Sequence, residues 1–186
     1  GLSNYVKAKY PEGKADLFSV FMYVGMAILK DEGKMGMINM QSWMFQSSFE
    51  ALRSTFLTKY SINNMLHLGP RTFDELSGEV VQNTSFVIQN TKPSENTVGV
   101  YYRLVEGKCC SEKEQLFLDG HGAYEIFPQQ NFLVINSYPI AYWVSDQLIA
   151  NLSNDILDDL AQVKQGLATG DNPRFLRCWH EVPFNK

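Results

Sequence analysis

The sequence predicts an α/β protein on a mixed sheet, and three observations predict it. Apolar residues recur at three-and-four spacing over 16–30. A continuously apolar run, Met35 to Met40, follows that stretch at once. Short β-rich runs then come in succession to about residue 105.

The first element is a helix over 16–30, with Leu17, Phe21, Val24 and Ile28 on one side beside Phe18, Met22 and Leu29. Asp16 is placed to cap its start, and Gly33 to end it in the left-handed conformation. Met35 to Met40 is too short and too evenly apolar for a surface helix. It reads as a strand buried on both faces, and a helix feeding such a strand suggests a parallel α/β unit. Ser47 and Glu50 have the spacing of a capping box, so a second helix is expected from Ser47 to Tyr60. Strands are expected over 62–68, 80–89 and 98–105, the last two pairing as a hairpin across Thr91 to Asn96. Beyond Gly107 the pattern weakens, with a short helix over 111–118 and one or two more between Ala141 and Leu160.

The chain has 186 residues, 45% hydrophobic and 19% charged, which suits one globular domain with room for part of a second. A net charge of −4 argues against coating nucleic acid through bulk positive charge. No apolar run has the length a bilayer requires, and the first residues lack the pattern of a secretory signal. Three cysteines, Cys109, Cys110 and Cys178, suit a reduced, cytoplasmic setting.

Familiar catalytic patterns are missing. His67 lies in an apolar strand and reads as a satisfied core histidine. His121 sits in a turn, and His180 has no partner at metal-ligand spacing. Adjacent Cys109 and Cys110 lack the gap that lets two thiolates share a metal, so no metal site is expected. Gly166 and Gly170 have three residues between them and precede Asp171, with no lysine where a phosphate loop needs one. Gly-x-Gly-x-x-Gly is absent as well.

Four segments together, residues 14–45, 62–90, 137–146 and 165–182, resemble the adenine-specific DNA methyltransferases of the gamma type. The resemblance is closest to the PglX-like enzymes of BREX phage defence. These segments cover about half of the chain in the family's order. The resemblance implies the C-terminal half of a Rossmann-like class I methyltransferase sheet, mixed through one antiparallel strand, with a mostly helical extension. The strands near 35, 62 and 82 would be the family's fifth, sixth and antiparallel seventh. It also implies a division into residues 1–106 (catalytic half), 107–163 (helical connector) and 164–186 (start of a target-recognition domain).

The implied activity is methyl transfer from S-adenosylmethionine to the exocyclic amine of an adenine turned out of double-stranded DNA. The family's cofactor loop and its Asn-Pro-Pro-Tyr motif do not occur here, so no catalytic residue is assigned and the chain reads as an inactive fragment of a longer enzyme. By resemblance Asp16 flanks the cofactor site, though a helix-capping aspartate explains it equally. Gln41, Ser42 and Trp43 would line the active-site cleft at the carboxyl edge of the sheet, or form an ordinary loop. Asn90 stands where some members carry an aromatic against the target base. The nearby Phe86 is either a pocket edge or core. Lys164, Gly166, Thr169, Gly170, Asn172, Arg174 and Phe175 fall at the domain junction, where Lys164, Arg174 and Arg177 could meet DNA phosphates or be ordinary surface charges.

The expected partners are double-stranded DNA, the rest of the same polypeptide, and a second copy joined through the exposed edge at 35–40, with no membrane. A non-catalytic α/β interaction or scaffold module is the alternative from another class.

Overall fold

The computed structural model describes residues 1–74, 81–120 and 123–152, together with Ala161 and Leu176. Residues 1–153 form one compact unit, and 154–186 a second.

The first unit is built on five strands, β1 (Lys34–Met40), β2 (Ser61–Pro70), β3 (Gln82–Gln89), β4 (Val98–Arg103) and β5 (Ala123–Pro128), in the order β1-β3-β2-β4-β5. β3 runs antiparallel to both β1 and β2, β4 parallel to β2, and β5 antiparallel to β4. Consequently β1, β2 and β4 point the same way. Their carboxyl ends share one edge of the sheet with the start of β3.

The helices are α1 (Leu2–Lys9), α2 (Leu17–Ala27), α3 (Glu50–Lys59), α4 (Cys110–Leu118), α5 (Asn131–Val134) and α6 (Asp146–Leu152). One face of the sheet carries the core. Met65, Phe86, Ile88, Tyr101 and Phe127 pack there with Met22 and Met26 of α2, Leu52, Phe56 and Leu57 of α3, and Phe132 of α5. Removing this apolar surface from water is the main source of stability, and it fixes which way each strand faces.

Several local expectations change. The hairpin between the third and fourth strands does not form: β3 already has β1 on one edge and β2 on the other, so β4 takes the free edge of β2. β1 is not buried on both faces. At β1 helices cover one face only, which leaves Gly36 and Ile38 exposed on the other. α2 ends at Ala27, and the left-handed residue in the following turn is Glu32, not Gly33. Gly33 is required there for space, because a Cβ would stand 2.9 Å from the Lys30 carbonyl oxygen.

The capping box is also not made. Residues Ser47–Phe49 form a 3-10 turn without a side-chain cap, and the Gln46 carbonyl before it accepts from Arg53 Nη1 at 2.7 Å. The position expected to divide domains at 106 falls between β4 and β5, two strands paired in one sheet.

Candidate functional site at the carboxyl edge of the sheet

The chain leaves β1 at Met40 and enters a 3-10 turn over Gln41–Met44, so this loop stands on the edge where β1, β2 and β4 end. Two anchors hold it. Trp43 is fully buried with its ring edge-on to Phe86, centroids 5.2 Å apart. Arg53, fully buried on α3, reaches back with Nη1 to the carbonyls of Trp43 at 2.8 Å and Gln46 at 2.7 Å. The same guanidinium donates through Nε and Nη2 to the Ser137 carbonyl, at 3.1 and 2.7 Å. Ser137 and Tyr138 are both left-handed, at φ 64° and 54°. Arg53 thereby clamps the loop after β1 to the segment that carries Tyr142 and Trp143, while Ile140 donates from its backbone to the Met44 carbonyl at 2.9 Å.

Behind the loop lies His67, near the end of β2. Its Nε2 is 2.9 Å from Gln41 Oε1 and its Nδ1 is 3.2 Å from the Tyr142 hydroxyl. Gln41 Nε2 donates to Gln82 Oε1, at the first residue of β3. The imidazole is stacked beside Trp143 and flanked by Phe45, with the Arg103 guanidinium over the Trp143 ring. Burial first, and then the cations Arg103 and Lys113, press the His67 pKa down to about 4. His67 is therefore neutral at pH 7. Burial raises the Tyr142 hydroxyl to about 12, so it too is uncharged.

Lys113 of α4 completes the support. Its buried ammonium donates to the carbonyls of Leu68 at 2.7 Å and Leu104 at 2.9 Å, tying the ends of β2 and β4 together. Asn39 and Asn83, both buried at this edge, each have a side-chain oxygen with no hydrogen-bond partner among the described residues. In front of Gln41 is a depression of about 270 Å³ lined by Met40, Gln41, Ser42, Phe45, Gln46 and Gln82.

The residues singled out in the sequence divide accordingly. Gln41 and Ser42 line the depression, whereas Trp43 and Phe86 fill the core beneath it. Asn90 lies at the opposite end of the sheet, donating through Nδ2 to the Lys30 carbonyl at 3.1 Å. Asp16 caps α2, accepting from the Phe18 amide at 3.3 Å. That helix lies antiparallel to β1, with Gly25 against Met35 and Phe18 against Phe49. Asp16 is thus at the helix end nearer the carboxyl edge. Lys164, Gly166, Thr169, Gly170, Asn172, Arg174, Phe175 and Arg177 lie outside the described residues.

His67, Arg103, Tyr142 and Trp143 were not singled out as site residues. Gln41 is 26 residues from His67, and His67 is 75 from Tyr142, so no spacing in the chain betrays the group.

Residues 2–73 match the family described as Eco57I restriction-modification methylase. The whole chain aligns at 40% identity with the adenine-specific methyltransferase PglX of Lacticaseibacillus casei (strain Zhang), covering 16% of that protein. The chain resembles a segment of a restriction-modification methylase. A second relative, the adenine-specific methyltransferase BrxX of Escherichia coli O9:H4 (strain HS), is 38% identical over 99% of this chain and 15% of its own length. The chain thus spans about one sixth of the relatives it matches.

Two solved structures agree on the fold. The type IIG restriction endonuclease BpuSI superposes with a TM-score of 0.52 at 12% identity, covering 79% of this chain and 18% of that one. A type I restriction-modification methyltransferase subunit from Streptococcus thermophilus gives 0.50 at 13%, covering 74% and 33%.

Methylases of this kind depend in general on S-adenosylmethionine, and the described residues do not make a pocket for it by themselves. No Gly-x-Gly loop follows a strand, and the Asp16 carboxylate is turned to its own helix. No group of His, Cys, Asp and Glu gathers as for a metal among the described residues. No described helix is long and apolar enough to cross a membrane.

Proposed function

We propose that this chain is the second half of the catalytic domain of an S-adenosylmethionine-dependent methyltransferase acting on the exocyclic amine of adenine in double-stranded DNA. Its setting would be phage defence or restriction-modification. The observation that carries the reading is the 40% identity to PglX along the entire chain. The sheet supports it: β1, the inserted antiparallel β3 and β2 follow the order expected of the fifth, seventh and sixth strands of a class I methyltransferase.

On this reading the chain supplies the floor and one wall of the target-base site. Cofactor and catalytic amide acceptors belong to other parts of the polypeptide. Gln41, Ser42 and the partly exposed Phe45 face the substrate, and Trp43, Phe86 and Arg53 hold them in place. Asp16 stands toward the cofactor side. The free edge of β1, whose only neighbour among the described residues is β3, receives the first half of the sheet. The junction residues Lys164 to Phe175 lead into the target-recognition domain, and the basic ones among them, Lys164 and Arg174, meet DNA phosphates.

The test uses the complete polypeptide. Tritiated S-adenosylmethionine is incubated with unmodified duplex DNA, and N6-methyladenine is sought in the digested product. Its formation is the expected result, together with an Asn-Pro-Pro-Tyr encoded upstream of Gly1. A complete polypeptide without that motif and without methyl transfer would return the chain to the class of interaction modules.

A further inference from the structure

The hydrogen-bond chain behind Gln41 has a direction, and it is read from the Gln41 oxygen. A carboxamide oxygen only accepts. Gln41 Oε1 faces His67 Nε2 at 2.9 Å, so the ring proton sits on Nε2 and is donated there. Nδ1 is then the acceptor, and the Tyr142 hydroxyl, 3.2 Å away, is its donor. With its oxygen engaged, Gln41 donates one N–H to Gln82 Oε1 and has one N–H left over.

A carboxamide in solvent can turn over and exchange donor for acceptor. Gln41 cannot, because turning would set its NH₂ against the Nε2–H of His67. The spare N–H belongs to the lining of the 270 Å³ depression. None of the six lining side chains is ionisable. A phosphate there would have no countercharge, whereas a neutral flat ring with an acceptor on its edge finds the apolar side of Phe45 and a donor.

We propose that Gln41 is a specificity-determining residue whose N–H, held outward by the Tyr142 and His67 relay, meets an unprotonated ring nitrogen of an extrahelical adenine. Where that nitrogen is N1, a guanine presents an N–H instead and meets donor with donor; its N3 and N7 accept as adenine's do. His67 and Tyr142 are positioning residues. The ligand half of this proposal rests on the methyltransferase reading above; the direction of the relay does not.

Two measurements test the halves separately. The chain contains three histidines, so long-range proton–nitrogen correlation on histidine-labelled protein, with His67→Gln to assign the signal, reads the tautomer. The Nε2–H form is expected at neutral pH, and Tyr142→Phe should bring in the other form. An Nδ1–H ring in the unsubstituted chain would overturn the relay.

In the complete polypeptide, methyl transfer is then compared on duplexes carrying adenine or its 1-deaza, 3-deaza or 7-deaza analogue at the target. One analogue should cost the native enzyme on the order of tenfold or more in kcat/KM. Gln41→Leu should lose as much on adenine and nothing further on that analogue. His67→Gln, which keeps a donor to Gln41, should retain more discrimination than His67→Leu. If Gln41→Leu responds to every analogue as the native enzyme does, the assignment is wrong. A native enzyme that transfers no methyl group would remove the ligand half, while the spectrum alone decides the relay.

Discussion

Arg53 and Ser137 are 84 residues apart, yet two nitrogens of one guanidinium converge on one carbonyl oxygen. The remaining arm holds the loop after β1, so a single buried cation joins two stretches that have no regular secondary structure in common. Arg53→Leu would leave the carbonyls of Trp43, Gln46 and Ser137 without these donors and should cost roughly 2–5 kcal/mol. Arg53→Lys should recover only part of this, since an ammonium cannot span both sets of acceptors. Urea unfolding midpoints of the variants check both statements.

The depressed pKa of His67 makes stability depend on acidity. The folded state resists protonation down to about pH 4, whereas an unfolded histidine takes up a proton near pH 6.5. As pH falls from 6.5 toward 4 the unfolded state binds more protons, and stability declines by up to about 3 kcal/mol. Above pH 6.5 this contribution is flat. Denaturant unfolding followed across pH 4–7 should show the slope, and His67→Gln should remove most of it.

Gly99 in β4 has no room for a side chain. A Cβ there would lie 2.8 Å from both the Ile62 carbonyl oxygen and the Tyr101 hydroxyl. Gly99→Ala should therefore destabilise by roughly 1–3 kcal/mol through forced separation of β4 from its surroundings. Gly36→Ala, at a position with nothing within 4 Å of the added atom, is the control and should change the melting temperature little.

β1 has β3 as its one neighbour among the described residues and shows Ile38 to solvent, 48% exposed. An apolar strand with one free edge invites pairing with another chain. The isolated chain should elute in gel filtration above its monomer size. Ile38→Lys should shift it toward the monomer, and an unsubstituted chain that is strictly monomeric at high concentration would contradict the expectation.

How much of this was legible in the sequence depends on how local the cause is. The helix after Asp16 announces itself through periodicity, and Met35 to Met40 and Ile62 to Leu68 through short apolar runs; the structure has all three. The place of β4 does not, because it follows from both edges of β3 being taken, and strand composition says nothing about occupied edges. β5, with Glu125 and Pro128 among six residues, lacks the alternation that marks a strand. At the site, Gln41 and Ser42 could be named because ligand positions follow strand ends in open α/β sheets. Arg53 and Lys113 could not, since nothing in a sequence distinguishes a cation buried on backbone carbonyls from one in solvent.

The position of β3 also sets an order of assembly. β1 and β2 are complete by residue 70 but are not neighbours; the slot between them is filled by residues 82–89. Until that stretch arrives the two strands have nothing to pair with, and a newly made chain carries two unsatisfied ribbons at once. Pairings this distant in sequence form slowly and leave the intermediate open to wrong partners. Synthesis on the ribosome releases Gln89 only after both flanking strands, so this part of the sheet closes around the last made of its three strands.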